Sequence, residues 1–182
     1  MKSIIMLHGL PGTGKSFIAQ KIASYFDNSV VLKTVHFREN LADSSAARFD
    51  ETRPETREEK DRTYRQLVES ARQALAAGKV PVLDATFHKK YRREWVYGLA
   101  KETGANLAVI SVDCNADVVF ERLKRREAQM NEDAFLKSRE AFEIMKRQAE
   151  PLGEEVVNIM RINTAHYVDF KELVAWLKNI LL

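Results

Sequence analysis

Residues 1–16, MKSIIMLHGLPGTGKS, constrain this chain more than any other stretch. The apolar run Ile4-Ile5-Met6-Leu7 leads straight into Gly9-Leu10-Pro11-Gly12-Thr13-Gly14-Lys15-Ser16. Every position of the G-x-x-x-x-G-K-[ST] pattern is matched. A strand-type run precedes it, and a helical pattern carrying Phe17, Ile18, Ile22, Ala23 and Phe26 follows. Glycine lets the backbone turn tightly, so that successive N–H groups converge on phosphate oxygens. A helix beginning near Lys15 adds its positive N-terminal end. The phosphate-binding set is therefore Gly9, Pro11, Gly12, Thr13, Gly14, Lys15 and Ser16. Within it, Lys15 is placed for the β- and γ-phosphates of ATP, and Ser16 for Mg²⁺.

The rest of the chain alternates. Val30-Val31-Leu32 reads as a second strand running on towards Thr34-Val35. A polar stretch from His36 to about Arg53 follows. Charges of both signs dominate 48–62, the usual pattern of a solvated face or a connection. Pro54, with Glu55, Glu58 and Glu59 behind it, marks a helix start. Tyr64, Leu67, Val68, Ala71 and Leu75 continue it at helical spacing, and Gly78 closes it. Pro81 is awkward inside a central strand, so it is expected to open the third one, with Asp84 at the C-terminal end. Residues 90–103 read as helix and 107–112 as a buried strand. Asn115 can cap a helix carrying Val118, Val119 and Leu123. Helices over about 132–149 and 168–182, with a strand over 156–162 between them, complete the pattern. Five strands alternating with helices predict one α/β domain over 1–182, its sheet mostly parallel and covered on both faces.

Composition narrows the partners. With 182 residues, 45% of them hydrophobic and 30% charged, the chain has the make-up of an ordinary globular domain. A net charge of +3 is too small to argue for bulk electrostatic binding to nucleic acid. One cysteine, Cys114, excludes an internal disulfide. No apolar stretch approaches a membrane span, and the first apolar run ends in a phosphate loop, not a cleavage site. The expectation is a cytoplasmic protein, monomeric or homodimeric, with no membrane partner.

Two further places carry chemistry. A carboxylate ending an apolar strand downstream of a phosphate loop belongs beside the metal, so Asp84 joins Ser16 as a Mg²⁺ candidate. Ligands of open α/β sheets bind at that edge. The second place is the basic density at Arg122, Lys124, Arg125 and Arg126. Arg122 and Arg126 lie one helical turn apart and share a face. Two guanidiniums so placed can clamp phosphate oxygens and stabilise the charge of a phosphoryl group in transfer. His88, Lys89, Lys90, Arg92 and Arg93 follow Asp84 and form a candidate wall for an anionic acceptor, with Arg92 the substrate candidate among them.

With these residues in view the chain resembles a family. GLPGTGKS, LAAGKVPVLDATF (75–87), Arg92/Arg93, ERLKRRE (121–127) and QAEPL (148–152) are similar to the zeta toxin-like and polynucleotide kinase-like P-loop kinases, AAA-type ATP-binding proteins among them. The resemblance implies a P-loop NTPase fold, with a five-stranded sheet of order 2-3-1-4-5 and an arginine-bearing lid at about 122–140. It also implies transfer of the ATP γ-phosphate to a hydroxyl. One departure stands out. Such kinases end strand two with Asp-x-x-Arg, the Asp activating the acceptor and the Arg holding it. Here Arg38 is present but Val35 occupies the Asp position. His36, next in the chain, suits base work by its ordinary pKa, although along a strand it points away from Val35. Asp43 and Asp50 are the other candidates, and a site without a dedicated base is the remaining one.

The expected function is transfer of phosphate from Mg-ATP to a hydroxyl of a small metabolite, a nucleoside or nucleotide, or a polynucleotide 5′ end. Lys15, Arg122 and Arg126 are its catalytic candidates; Arg38, His36 and Arg92 would face the substrate. The rival is a nucleotide-binding or ATPase switch module without an acceptor, for which Val35 speaks.

Overall fold

The computed structural model describes residues 1–37, 49–128, 139–153 and 157–181, with side chains described up to Arg125 in the second stretch. The elements are β1 (Ser3–His8), α1 (Lys15–Ala23), β2 (Ser29–Lys33), α2 (Pro54–Ala76), β3 (Val80–Asp84), α3 (Lys90–Thr103), β4 (Asn106–Asp113), α4 (Ala116–Ala128), α5 (Arg139–Gln148), β5 (Ile159–Asn163) and α6 (Phe170–Leu181). The five strands form one sheet of order β2-β3-β1-β4-β5, parallel at every pairing. This is the expected topology.

Alternation along β1 sorts the layers. Ile5 and Leu7 face α1 and α6, packing with Ile18, Ile22, Leu173 and Leu177. Ile4 and Met6 face α2 and α3, packing with Leu67, Ala71, Val96 and Leu99. All four β1 side chains are fully buried, as a central parallel strand requires. A third, smaller cluster joins α4 to α5 through Val119, Leu123, Phe142 and Met145, with Phe49 among them and Leu10 packed against it. That cluster brings α4 and α5 over the phosphate loop.

Several boundaries differ from those expected. Strand β2 stops at Lys33, and Thr34–Phe37 form a 3₁₀ turn. The reason is pairing: among the described residues β2 is an edge strand, and its neighbour β3 ends at Asp84 opposite Lys33. Val35 and His36 therefore do not alternate along a strand. Pro81 is the second residue of β3, not the first. The β1 ladder on β3 begins at Val82, so Pro81 lies where only β2 is alongside and its missing N–H breaks no central pairing. Helix α6 starts at Phe170 because Asp169 caps it, its Oδ1 accepting from the backbone N–H of Lys171 (2.8 Å) and Glu172 (3.2 Å). Strand β5 begins at Ile159, three residues later than expected. The expected helix over 132–149 is described from Arg139 on, and much of the expected lid lies outside the described residues.

One contact fixes how β1 enters the phosphate loop. Gly9 has φ +145°, and a Cβ there would lie 2.2 Å from the backbone oxygen of Val112 at the top of β4. Neither atom is on a flexible side chain. Gly9→Ala is expected to lower stability by about 2 kcal/mol or more, since strain and clash coincide at a backbone position. Urea denaturation would measure it; a variant as stable as the parent would show that the β1–β4 approach is looser than described.

Candidate nucleotide and phosphotransfer site

The loop after β1 is held from outside. Gly12 has φ +79°, and a Cβ on it would come within 2.7 Å of Val119 Cγ1 on α4. Only glycine lets α4 lie this close. Pro11, Gly12 and Thr13 are buried, and Gly14 precedes the first turn of α1 in a left-handed conformation. Lys15 folds back across the loop, its Nζ donating to Leu10 O at 2.7 Å. Thr13 Oγ1 donates to the same oxygen at 2.8 Å. Ser16 stands in the first turn of α1, partly exposed.

Asp84 ends β3 in register with Leu7 of β1, two residues before Gly9. It is buried and shares the sheet edge with the loop. A serine hydroxyl and a single carboxylate, with phosphate oxygens completing the shell, match the ligand set of Mg²⁺. The residues present fit that ion.

Arg122 reaches the loop from α4. Its Nη1 donates to Gly12 O (3.4 Å) and Thr164 Oγ1 (2.9 Å), and its Nη2 to Thr164 O (2.8 Å). Thr164 Oγ1 in turn donates to Thr13 O at 2.6 Å. In this structure the guanidinium thus joins one loop carbonyl, that of Gly12, to the turn after β5. The backbone of Arg126 lies one turn further along α4, and its side chain is outside those described. Arg38 and Asp43 are also outside the described residues. His36 is exposed on the 3₁₀ turn, beside a partly buried Val35. Asp50 Oδ1 accepts from Thr52 Oγ1 (2.7 Å), Thr52 N (3.1 Å) and Gln148 Nε2 (2.7 Å). The Thr52 hydroxyl and amide hold its carboxyl below the ordinary value, the opposite of what a general base needs.

The basic cluster after Asp84 requires a correction. Arg92 is fully buried, and its guanidinium is occupied by Glu51 (Nη1–Oε1 3.0 Å, Nη2–Oε2 2.5 Å) and by Asp61 (Nε–Oδ1 2.9 Å). Arg93 is equally buried and donates to the backbone oxygens of Phe87, Glu150 and Pro151. Neither faces a substrate cavity. Two buried guanidiniums need internal partners, and the fold supplies them.

Glu51 was hidden within the charged run 48–62. It is buried, not solvated. Besides Arg92, its Oε1 lies 2.9 Å from His88 Nε2 and 3.2 Å from Lys60 Nζ. Burial opposes its ionisation, yet His88, Lys60 and Arg92 together hold its carboxyl well below the carboxylate range. The adjoining loop is strained. Phe87, with no glycine's freedom, has φ +47°. Tyr64 OH accepts from Phe87 N (3.2 Å) and bonds Thr86 Oγ1 (2.8 Å), while Thr86 O accepts from Gly9 N (3.1 Å). The strained loop is therefore pinned to the start of the phosphate loop. No spacing in the sequence pointed to Glu51 or Thr164; Thr86 and Phe87 lay inside the DATF stretch without an assigned part.

Fold and loop define a P-loop nucleotide-binding protein of the kinase type of sheet. The chain matches the AAA_33 family, described as an AAA domain, over residues 4–152, and it belongs to that family. A probable 6-phosphofructo-2-kinase of Schizosaccharomyces pombe is 29% identical over 171 residues. That match covers 84% of this chain but 29% of the yeast protein, so the chain spans under a third of that relative's length. Among solved structures, Chaetomium thermophilum Kti12 in complex with ADP-AlF3 superposes with a TM-score of 0.78 at 15% identity, covering 98% of this chain and 99% of that one. The Mycobacterium tuberculosis APS kinase CysC, in complex with AMPPNP and APS, gives 0.65 at 18% identity, with 97% and 98% covered. At those identities the likeness is one of fold.

The Glu51 cluster yields a pH-dependent expectation. Glu51→Gln removes one partner from a buried ion pair, at about 3 kcal/mol. A carboxyl held below its ordinary 4.5 stabilises fully above that pH, and the stabilisation is lost as pH falls further. The stability gap between parent and variant should be constant near neutrality and shrink below about pH 4.5, followed by urea denaturation across pH. A gap independent of pH would contradict the assigned ionisation.

Proposed function

We propose that the protein is a phosphotransferase that moves the γ-phosphate of Mg-ATP to a hydroxyl group. The observation that carries this reading is the meeting of three groups at one sheet edge: the loop with Lys15, the buried Asp84 in register beside it, and Arg122 laid against the loop from α4. Binding alone needs the first; an arginine brought over the loop suits transfer. The names of the relatives agree with it. The finer kinship, to zeta toxin-like and polynucleotide kinase-like enzymes, rests on the motifs in the sequence.

In this reading the loop N–H groups and Lys15 hold the β- and γ-phosphates. Ser16 and Asp84 would hold Mg²⁺, which neutralises charge on the bridging phosphates when bound. Arg122 and Arg126 act from the α4 side, and Arg38 and His36 face the acceptor. The acceptor is an uncharged hydroxyl compound before it is a phosphorylated one. The yeast relative is named for a phosphofructo substrate, but Arg92 and Arg93 here already have internal partners. A net charge of +3 does not favour a polynucleotide 5′ end over a metabolite. No helix among the described residues is long and apolar enough to cross a membrane. Use of ATP and a single thiol, Cys114, suit the cytoplasm.

The test is ATP consumption and phosphate transfer with a panel of sugars, nucleosides and 5′-hydroxyl oligonucleotides. At least one class should accelerate ADP release and become phosphorylated, and Lys15→Ala should reduce turnover to background. ATP hydrolysis that no hydroxyl compound accelerates would favour a switch module instead, as Val35 in place of an acceptor-side carboxylate would allow. Turnover unchanged by Lys15→Ala would sink the site itself.

A further inference from the structure

A cavity of about 530 Å³ opens over the C-terminal ends of β1, β4 and β5, walled by His8, Gly9, Leu10, Ser111, Arg161 and Asn163. Its position follows from the topology. The chain leaves β1 for β2 and β3 on one side, while β4 and β5 lie on the other. The crevice between β1 and β4 is thus the switch point, where open α/β sheets take ligands. The volume is that of a small-molecule site. Neither Lys15, Ser16 nor Asp84 lines it, so it is distinct from the proposed transfer centre. It shares only Gly9 and Leu10 with the phosphate loop.

The walls define the ligand. Leu10 and Pro151 supply apolar surface, while the side chains of Val112 and Ile162 pack on the other face of the sheet. The Arg161 side chain makes no hydrogen bond or ion pair with another described residue, whereas the acids of the lining have partners. Asp113 Oδ1 accepts from Cys114 N at 2.8 Å. The Glu150 carboxylate accepts from Lys90 N at 2.5 Å and lies 3.5 Å from Lys89 Nζ. Asn163 Oδ1 accepts from Ala165 N (2.9 Å), which leaves its NH₂ for a ligand. His8, 3.3 Å from Ser111 Oγ, is a neutral wall: burial, then the charges of Arg93 and Lys15, bring its pKa down to about 3.

We propose that this cavity binds a compact monocarboxylic acid, its carboxylate on Arg161 and Asn163 and its apolar body against Leu10 and Pro151, and that the bound acid weakens nucleotide binding at the adjoining loop. A guanidinium offers a carboxylate two parallel hydrogen bonds. Among the described residues Arg161 is the one guanidinium in the lining, so the site takes a single acid group. The antagonism follows from placing an anion against Gly9 and Leu10, whose loop must also receive polyphosphate, and it is reciprocal. The inference rests on nucleotide binding by the loop and on no acceptor.

Benzoate is the probe and benzamide, its neutral isostere, the control. In calorimetric titrations of the intact protein, millimolar benzoate should raise the Kd for Mg-ADP about fivefold while benzamide leaves it unchanged. Arg161 is exposed, so Arg161→Gln should fold, bind Mg-ADP within about twofold of the parent, and lose the benzoate effect. Ala149→Phe, which fills the cavity from its rim, should lose it as well. An equal effect of benzamide, no effect of benzoate, or an effect surviving in Arg161→Gln would overturn the proposal; the last would mean competition at the phosphate loop. Direct titration of benzoate into nucleotide-free protein separates the two readings. Should Mg-ADP fail to bind at all, the proposed function falls, and heat from benzoate that Arg161→Gln abolishes would still support the cavity.

Discussion

A loop that is to bind phosphate must leave its N–H groups unpaired and facing inward. Its carbonyl oxygens then face outward, and each needs a donor from elsewhere. Much of the site is the solution to that requirement. Leu10 O takes Lys15 and Thr13, Gly12 O takes Arg122, Thr13 O takes Thr164, and Gly14 O takes the N–H of Ile18. The donors come from the loop, α1, α4 and the turn after β5. Two N–H groups are already given away, that of Thr13 to Leu10 O (3.4 Å) and that of Gly9 to Thr86 O (3.1 Å). The Gly9 bond sets where the inward-facing series begins. The close packing at Gly9 and Gly12 follows from the same need, because donors must approach the outer surface of the loop to reach it.

The second constraint is the burial of two arginines in α3. A guanidinium out of water must be paired, and removing one partner costs more than the pair contributes. Arg93 is satisfied by three backbone oxygens, Arg92 by Glu51 and Asp61. Those partners lie before α2, within α2, after β3 and after α5. The ion-pair cluster therefore sets the spacing of the layer that covers the Ile4–Met6 face of the sheet. It also supports the strained turn at Phe87, through Tyr64, whose ring lies 4.8 Å from the Arg92 guanidinium.

The sequence was most legible where one local rule governs. The strand, loop and first helix follow from a pattern in which each residue type has its own reason, and the sheet order came with the family likeness. Legibility failed where a distant partner decides. Glu51 reads as a solvated charge because its neighbours in the chain are charged; its burial depends on Arg92, 41 residues away. Arg92 and Arg93 read as an acceptor wall because cations after a metal-site strand suit one, and only packing reveals their internal partners. Thr164 stands 151 residues from the loop carbonyl it donates to. The end of β2 was misjudged for a related reason: an edge strand lasts only as long as its neighbour, and β3 stops at Asp84. Arg122 lies against the phosphate loop, on the side where its place in the sequence put it, while its hold on Thr164 was not legible.

These constraints bear on the missing carboxylate at Val35. Phosphoryl transfer depends chiefly on alignment and on charge already in place, and less on removal of a proton. The segment entering α2 is tied to the end of α5 by Gln148, which donates to Asp50 and accepts from the N–H of Glu51. The end of α5 is tied to the loop after β3 by Glu150 N and His88 O at 2.8 Å, and that loop to Gly9 by Thr86. So the residues just before α2, the residues at the end of α5, and the first residue of the phosphate loop form one connected unit. In the proposed phosphotransferase, the geometry that a strand-two carboxylate would help to impose on the acceptor would come from this hydrogen-bonded connection. Without such a connection, loss of the base would leave acceptor and donor free to move apart. With it, Val35 would remove a proton acceptor from the proposed reaction and leave the alignment standing.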